Sequence, residues 1–174
     1  MMPINFSKWV QENGHLLQPP INNKCVFSGN DFFVMAIGGP NDRTDYHVNQ
    51  TEEWFYQVKG DMVLKIVDET TTPHTFKDIP IREGEMYLNP GRVPHSPQRF
   101  ADTIGIVIER TRTGSNAVDD SMRWYCQECK NIIYEEFFLC ADVATQLKEI
   151  IGKWNATDKT CKHCGAVAPE SFLN

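Results

Sequence analysis

Residues 39–60, with the sequence GPNDRTDYHVNQTEEWFYQVKG, decide the fold prediction. The stretch sets His47 and Glu53 six residues apart and ends at Gly60. Because residues 48–51 are expected to contain a turn, His47 and Glu53 are predicted to lie on two adjacent strands that face one lumen. Residues 84–95, GEMYLNPGRVPH, then return His95 to the same barrel through a turn, a short strand and a Pro/Gly loop.

Short apolar runs separated by turn signals surround these two stretches. We predict strands at residues 24–27, 32–37, 53–59, 62–68, 75–81, 86–88 and 103–110. Many short strands at close spacing are typical of a sandwich or barrel rather than of a parallel α/β sheet. The predicted fold class is therefore dominated by β-structure.

Two helices complete the prediction. Residues 5–18 are expected to form a short helix that starts at Asn5 or Ser7 and ends before Pro19-Pro20. Residues 141–154 have helical apolar spacing. The polar segment TGSN at 113–116 divides the chain, so we predict a barrel domain at 1–115 and a C-terminal extension at 116–174.

The overall composition excludes several classes of protein. Hydrophobic residues make up 41% of the 174 residues and the net charge is −6, which is typical of a globular chain and a poor match for phosphate binding. No apolar run approaches the ~20 residues of a membrane span. Because the N-terminus lacks a secretory pattern, we expect a cytoplasmic protein that binds neither membrane nor nucleic acid.

His47, Glu53 and His95 are the first candidate metal site. Two imidazoles and one carboxylate on one side of a metal form a facial triad. This arrangement suits non-haem Fe(II) and leaves positions for substrate and dioxygen. Glu52, which precedes Glu53, is expected to be partly solvated and not a ligand.

A second candidate metal site lies in the extension. Its two C-x-x-C knuckles offer four thiolates, from Cys126, Cys129, Cys161 and Cys164. Such a set fills all the coordination positions of a structural metal, and the metal can be zinc or iron. Residues 116–174 hold six Lys and Arg against nine Asp and Glu, so a nucleic-acid-binding ribbon is not expected. The remaining cysteines, Cys25 and Cys140, are predicted to be buried small hydrophobes.

The chain resembles a known family at several separate motifs. The two stretches are similar to the two cupin motifs, at Gly39, His47, Glu53 and Gly60 and at Gly84, Pro90 and His95. The usual first motif has His-x-His, whereas Asn49 stands here at the second position. This departure resembles the 3-hydroxyanthranilate 3,4-dioxygenase family, as do RTDYH at 43–47, EEWFYQ at 52–57, PHSPQR at 94–99 and GIVIER at 105–110. The knuckles match the short microbial and fungal form of that family.

The resemblance implies a fold, an oligomeric state and a reaction. The fold is a cupin jelly-roll barrel with an N-terminal helix and a small C-terminal metal-binding extension, and the protein is a homodimer. The substrate is a small aromatic ring with adjacent hydroxyl and amino groups and a carboxylate. Hydroxyl and amine would chelate Fe(II), with dioxygen at a remaining position. Ring cleavage gives 2-amino-3-carboxymuconate semialdehyde, which cyclises to quinolinate, a precursor of NAD.

Three charged residues are candidates for catalysis. Arg99 lies four residues after His95, and its guanidinium fork matches the substrate carboxylate. By resemblance, Arg43 faces dioxygen, where a fixed cation stabilises developing superoxide character. By resemblance, Glu109 contacts the amino or carboxylate end of the substrate and handles its protons.

Three further residues have expected contacts with the substrate. Glu53 is also able to accept a proton from the chelating hydroxyl. Asn23 and Phe55 are candidates for the pocket wall, since an aromatic wall suits a planar substrate.

The same residues have plainer interpretations. Arg43 and Arg99 would ordinarily be surface charges, and Glu109 could form a cross-strand salt bridge with Arg110. In function, the alternative is a cupin that senses or binds a small molecule through a structural metal. A sensor needs no residue aimed at dioxygen, so Arg43, Arg99 and Glu109 discriminate between the two.

Overall fold

Two antiparallel sheets form the body of the protein. The structure is a computed structural model that describes residues 2–19, 22–112, 114, 117–140 and 143–172, with the side chains of residues 143 and 144 excepted. Most of the predicted linker, residues 113, 115 and 116, lies outside the described residues. No helix among those described has the length and apolar character that a membrane span requires.

The five-stranded sheet has the order β1-β2-β9-β4-β7. Its strands are β1 (Asn23–Ser28), β2 (Phe32–Gly38), β9 (Ile104–Arg110), β4 (Glu53–Lys59) and β7 (Met86–Asn89). The six-stranded sheet has the order β11-β10-β3-β8-β5-β6. Its strands are β11 (Ile132–Leu139), β10 (Asp119–Tyr125), β3 (Tyr46–Val48), β8 (His95–Arg99), β5 (Met62–Asp68) and β6 (Thr75–Ile81).

The hydrophobic core of the barrel lies between the two sheets. Phe55 and Val107 from the five-stranded sheet pack against Met62, Leu64 and Ile81 from the six-stranded sheet. All five side chains are at most 2% exposed. Since burial of one such side chain contributes about 1.5–3 kcal/mol, this cluster is a main source of the barrel's stability.

One helix precedes the strands in the sequence and the other follows them. α1 spans Phe6–Asn13, and the side chain of Asn5 caps it by accepting a hydrogen bond from the Lys8 N–H at 3.0 Å. A 3-10 turn, Gly14–Leu17, follows it. α2 spans Val143–Ala156, while residues 141 and 142 of the predicted helix lie outside the described part of the chain.

The extension continues the barrel sheet instead of standing apart from it. β10 pairs with β3, where Met122 is the partner of His47 in register. A second core in the extension packs α2 against β10 and β11 and contains Met122, Trp124, Leu147, Ile150, Ile151, Trp154 and Ala168. The domain boundary at residue 115 stays a prediction, but the first strand beyond it belongs to the barrel's six-stranded sheet.

The predicted fold class is confirmed. The protein is a mostly-β, cupin-type barrel of two sheets with a short N-terminal helix and a four-cysteine cluster in the extension. The prediction that Cys25 is buried is wrong: β1 is an edge strand, and Cys25 is exposed on it despite its apolar neighbours. Cys140 is buried, as predicted.

Candidate metal centre and substrate cavity

His47, Glu53 and His95 meet inside the barrel. His47 of β3 and His95 of β8 are direct register partners in the six-stranded sheet. Glu53 begins β4, which belongs to the five-stranded sheet, so the prediction that His47 and Glu53 lie on adjacent strands is wrong. Residues 49–52 carry the chain from one sheet to the other, and Glu53 therefore faces the histidines across the lumen. The ligand atoms of all three residues lie within 4.8 Å of one another, and all three side chains are buried.

The donor atoms of this triad fit a bound metal. The Nδ1 atom of His95 lies 3.0 Å from the carbonyl oxygen of Val93. The amide group of Asn89 also lies against Nδ1, with its nitrogen 3.1 Å away. Since the carbonyl only accepts, we assign the proton to Nδ1 and turn the amide so that its oxygen accepts too, which leaves the lone pair on Nε2. Nε2 lies 2.9 Å from Oε2 of Glu53, yet this buried oxygen has no hydrogen-bond partner with suitable geometry among the described residues. A shared proton or a metal ion satisfies both atoms, and two imidazoles with one carboxylate form a donor set that suits a metal.

The charges within the triad influence one another. Burial would lower the pKa of His95, but the carboxylate of Glu53 outweighs it and raises that pKa above its usual value, so a metal bound there would displace a proton. Burial by itself would raise the pKa of Glu53, but the nearby charges of His95 and His47 outweigh it and lower the pKa to about 2. Burial lowers the pKa of His47 below its usual value. An ionised carboxylate and a neutral imidazole are the forms that bind a metal.

A cavity of about 150 Å³ opens beside the triad. An apolar cavity of this volume is able to hold a benzene-sized ring. Its lining includes every residue of the predicted catalytic site, namely Asn23, Arg43, His47, Glu53, Phe55, His95, Arg99 and Glu109. The ring of Phe55 lies edge-on to His95, with centroids 6.1 Å apart. Leu147 and Lys148 of α2 also line the cavity, and no sequence pattern predicted them as site residues.

Arg99 is a buried cation at the cavity wall. Its side chain is 3% exposed, and Nη1 donates to Oε1 of Gln57 at 3.1 Å. A Cβ atom at position 105 would lie 2.6 Å from Nη1, so Gly105 leaves the space that the guanidinium occupies. Burial lowers the pKa of Arg99 to about 10, and the group therefore stays positively charged at neutral pH.

Arg43 is held by a buried carboxylate. Its Nε atom donates to both oxygens of Asp45, at 3.1 and 3.2 Å. Burial would lower the pKa of Arg43, but the charge of Asp45 outweighs it and raises the pKa above its usual value. Asp45 also accepts a hydrogen bond from Oγ of Ser171 at 2.9 Å. The last part of the extension therefore fixes the partner of Arg43.

Glu109 pairs with Arg112 and not with Arg110, its neighbour in the sequence. Nη2 of Arg112 donates to Oε2 of Glu109 at 2.8 Å, whereas Arg110 is exposed. Asn49, which stands where the usual cupin motif has its second histidine, donates to the same oxygen at 3.1 Å. Burial, assisted by the charge of Glu53, raises the pKa of Glu109 to about 8. Asn49 therefore stands in the place of the second histidine of the usual motif and holds the carboxyl group of Glu109.

Arg112 and Asp120 were not predicted as site residues. Oδ2 of Asp120 lies 2.9 Å from Nε2 of His47 and 2.9 Å from Nε of Arg112. Asp120 is 0% and Arg112 1% exposed. No spacing pattern links either residue to His47, because Asp120 follows it by 73 positions. Only the pairing of β10 with β3 brings them together.

The four cysteines form a second, compact cluster. Sγ of Cys126 lies 3.5 Å from that of Cys164, and Sγ of Cys129 lies 3.6 Å from that of Cys161. A tetrahedral site with metal–sulfur bonds of about 2.3 Å has sulfurs about 3.8 Å apart, so the cluster is near the size that a metal requires. Hydrogen bonds from Asn131 lower the pKa of Cys129 to about 6, which favours its thiolate.

Comparison with known proteins identifies relatives along most of the chain. The family model described as 3-hydroxyanthranilic acid dioxygenase matches residues 1–155. A Neurospora crassa protein named 3-hydroxyanthranilate 3,4-dioxygenase is 56% identical over 168 residues, which cover 95% of this chain and 89% of that protein. A Podospora anserina protein of the same name is 55% identical over 95% of this chain and 89% of its own length.

A third relative and one solved structure extend the comparison. A Mycosarcoma maydis protein, also named 3-hydroxyanthranilate 3,4-dioxygenase, is 51% identical over 94% of this chain and 92% of its own length. The crystal structure of a cupin-2 domain containing protein from Shewanella frigidimarina covers 62% of this chain and 93% of its own, with a TM-score of 0.48 at 20% identity. By the family model and the three relatives, which confirm the resemblance found in the sequence, the chain belongs to the 3-hydroxyanthranilic acid dioxygenase family.

Proposed function

We propose that this protein is a 3-hydroxyanthranilate 3,4-dioxygenase. It uses dioxygen to cleave the ring of 3-hydroxyanthranilate between carbons 3 and 4 and releases 2-amino-3-carboxymuconate semialdehyde. The observation that carries the proposal is that a His/Glu/His donor set, a buried arginine and a buried acid line one cavity. Since the product cyclises to quinolinate, the reaction serves NAD biosynthesis from tryptophan through kynurenine.

His47, Glu53 and His95 would hold Fe(II). Two imidazoles and one carboxylate with open positions favour non-haem iron over metals that prefer all-oxygen or all-sulfur donors. When bound, Fe(II) supplies a redox-active Lewis acid with positions for the substrate hydroxyl, the substrate amine and dioxygen. Glu53, as an ionised carboxylate, also accepts the proton of the substrate hydroxyl.

Arg99 binds and orients the substrate carboxylate. The guanidinium is buried, charged and fixed by Gln57, so it is able to form charge-assisted hydrogen bonds without reorganising. Phe55 and Asn23 form part of the wall against which the ring packs. Arg43, fixed by Asp45, presents a second cation to the cavity on the side assigned to dioxygen.

Glu109 moves protons at the amino end of the substrate. Its Oε2 atom is engaged by Arg112 and Asn49, which leaves Oε1 for the substrate. With a pKa of about 8, the carboxyl group exchanges a proton readily near neutral pH.

The four-cysteine cluster holds a second metal, zinc or iron, with a structural role. Four thiolates leave no coordination position for a substrate. The cluster joins the segment after β10 to the segment after α2, and these segments have few hydrophobic residues of their own. Metal binding there stabilises the folded extension directly.

The outer face of the five-stranded sheet supports a homodimer. Two rows of apolar side chains cross this face in register. One row contains Leu88, Trp54, Ile108 and Val34, and the next contains Met86, Tyr56 and Ile106. Met86 is 63% and Leu88 51% exposed. A continuous apolar face of this kind marks a protein–protein contact, and we assign it to a second copy of the chain. The cytoplasmic location expected from the sequence stays a prediction.

Oxygen consumption tests the proposed function. Protein loaded with Fe(II) under argon and mixed with 3-hydroxyanthranilate in air is expected to consume one dioxygen per substrate and to generate the near-ultraviolet absorbance of the semialdehyde. 2-Aminophenol, which lacks the carboxylate that Arg99 binds, serves as the matched substrate and is expected to react with a much higher KM. If iron-loaded protein binds 3-hydroxyanthranilate but consumes no oxygen, it is a small-molecule sensor and not a dioxygenase.

A further inference from the structure

We propose that Arg112 and Asp120 are positioning residues that couple the metal ligand His47 to the acid Glu109. The inference rests on the proposed function, because it assigns these two residues a role at the metal centre described there. Neither residue lines the cavity, so both act through the side chains that they hold.

A single guanidinium connects two buried carboxylates. Arg112 reaches Oε2 of Glu109 through Nη2 at 2.8 Å and Oδ2 of Asp120 through Nε at 2.9 Å. Its Nη1 atom donates to the carbonyl oxygen of Arg110 at 2.9 Å, which anchors the group to the end of β9. Two hydrogen bonds, to Glu109 and to the carbonyl oxygen of Arg110, and the ion pair with Asp120 hold the guanidinium between the two carboxylates.

Burial makes it costly to separate the groups in this arrangement. Glu109 is 3% exposed and Asp120 is 0% exposed, so water does not solvate either carboxylate appreciably. A buried charge that loses its partner is strongly destabilising, whereas a paired and hydrogen-bonded charge is tolerated. Arg112 therefore cannot move away from Asp120 without also disturbing Glu109.

Asp120 fixes the ring of His47. Its Oδ2 atom lies 2.9 Å from Nε2 of His47, and an ionised carboxylate only accepts, so we assign the proton of the imidazole to Nε2. This contact holds the imidazole ring in one orientation inside the barrel. Carboxylates in this relation to a ligating histidine set its tautomer and orientation and raise its basicity.

The coupling arises because one oxygen atom serves both partners. Oδ2 of Asp120 contacts both His47 and Arg112, so a displacement of the guanidinium changes the hydrogen bond that holds the histidine. A series of side-chain contacts therefore leads from the metal ligand to the substrate acid, through His47, Asp120, Arg112 and Glu109. It links the affinity for metal to the geometry of the group that meets the substrate.

Two conservative variants test the coupling, with a matched control on the same strand. Asp120→Asn keeps the size of the side chain and removes its charge, while Arg112→Lys keeps the charge and removes the planar fork. The control is Arg123→Lys, since Arg123 of β10 also bonds two carboxylates, Glu69 and Glu135, but is partly exposed on the other face of the sheet. The measurements are anaerobic Fe(II) titration of apo-protein whose four-cysteine site is already loaded, and kcat and KM at saturating Fe(II).

Asp120→Asn is expected to weaken Fe(II) binding by about 10–100-fold, the usual range for a group that orients a metal ligand. Arg112→Lys is expected to weaken Fe(II) binding and also to raise the KM for 3-hydroxyanthranilate, because Arg112 contacts both Asp120, which holds the metal ligand, and Glu109, which meets the substrate. Arg123→Lys is expected to leave both quantities within about twofold of wild type.

Three outcomes would overturn the inference. One is Fe(II) affinity within about twofold of wild type in folded Asp120→Asn, which is well below the expected effect. Another is an equal loss in Arg123→Lys, which would indicate general destabilisation. If Asp120→Asn does not fold, Arg112→Lys decides alone, and an unchanged KM together with unchanged Fe(II) affinity rejects the coupling. Wild-type protein that takes up no Fe(II) at the first site would instead reject the proposed function, and the inference with it.

Discussion

The two candidate metal sites differ in every physical respect that decides function. The His/Glu/His site lies inside the barrel, is buried and opens onto a cavity lined by charged residues. The four-cysteine site lies on two short knuckles of the extension, where Cys164 is exposed. The cysteines are the more conspicuous pattern in the sequence, yet their complete donor set leaves nothing for chemistry. The incomplete set of three donors is the one that leaves room for a reaction.

The two sites are also connected, because the extension reaches the His/Glu/His site and its cavity. Asp120 contacts His47, Ser171 contacts the partner of Arg43, and Leu147 lines the cavity. The extension is therefore more than a part stabilised by its own metal. Four substitutions test how far the two sites are independent.

His95→Ala is expected to have the largest effect. It removes one of three donors, so the first site loses its iron and turnover falls below detection, while the four-cysteine site stays loaded. Metal analysis before and after addition of Fe(II) measures both sites. His163→Ala is the control, because His163 is exposed in the second knuckle and four thiolates already satisfy that metal. Unchanged iron at the first site would refute the assignment of His95.

Cys126→Ser is expected to destabilise the extension without removing a catalytic group. Loss of a structural metal removes several kcal/mol of folding free energy, which corresponds to a fall in Tm of roughly 10 °C for a chain of this length. Calorimetry and turnover per bound catalytic iron are the measurements. Cys25→Ser is the matched control, since Cys25 is an exposed cysteine outside the cluster. Complete loss of turnover per iron in folded protein would contradict a structural role.

Arg99→Met is expected to act on substrate binding. It removes the charge-assisted hydrogen bonds to the substrate carboxylate, which contribute about 2 kcal/mol, so the KM rises roughly 30-fold. Steady-state kinetics with 3-hydroxyanthranilate measure the change. Arg82→Met is the control, because the side chain of Arg82 is 65% exposed. Equal KM values for both variants would exclude Arg99 as the carboxylate site.

Ser171→Ala is expected to have the smallest effect of the four. It tests most directly whether the extension supports Arg43. It removes the hydrogen bond from Oγ to Asp45, a loss of about 1 kcal/mol, which corresponds to a decrease of about fivefold in kcat/KM if all of it reaches Arg43. Ser7→Ala, at an exposed position of α1, is the control. An unchanged kcat/KM in Ser171→Ala would show that Arg43 does not depend on the extension.

Local patterns in the sequence predicted the barrel and the donor set. Apolar runs between turns predicted the strands, and glycine- and proline-bounded motifs around His47, Glu53 and His95 predicted the triad. Each predicted strand coincides with an observed strand to within one residue. These features were accessible because each depends on residues that are close together in the chain.

Contacts between distant segments were not predictable in this way. Asp120 and Ser171 reach the site from 73 and 126 positions beyond their partners, through strand pairing and the path of the C-terminal segment. The burial of Cys25 was predicted wrongly for a related reason, since apolar neighbours do not reveal that β1 lies at the edge of its sheet. The contacts of Asp120 and Ser171 and the exposure of Cys25 all depend on how segments that are distant in the sequence are arranged in the fold.

Gly105 gives the barrel a specific evolutionary constraint. Any side chain there would meet the guanidinium of Arg99, because the first added carbon would lie 2.6 Å from Nη1. Arg99 is 3% exposed and has little room to shift, so a change from Gly105 to alanine is expected to displace the cation that we propose binds the substrate carboxylate. Variation at position 105 is therefore expected to change which substrates the cavity accepts, and saturation of this position followed by a screen with 2-aminophenol tests that expectation.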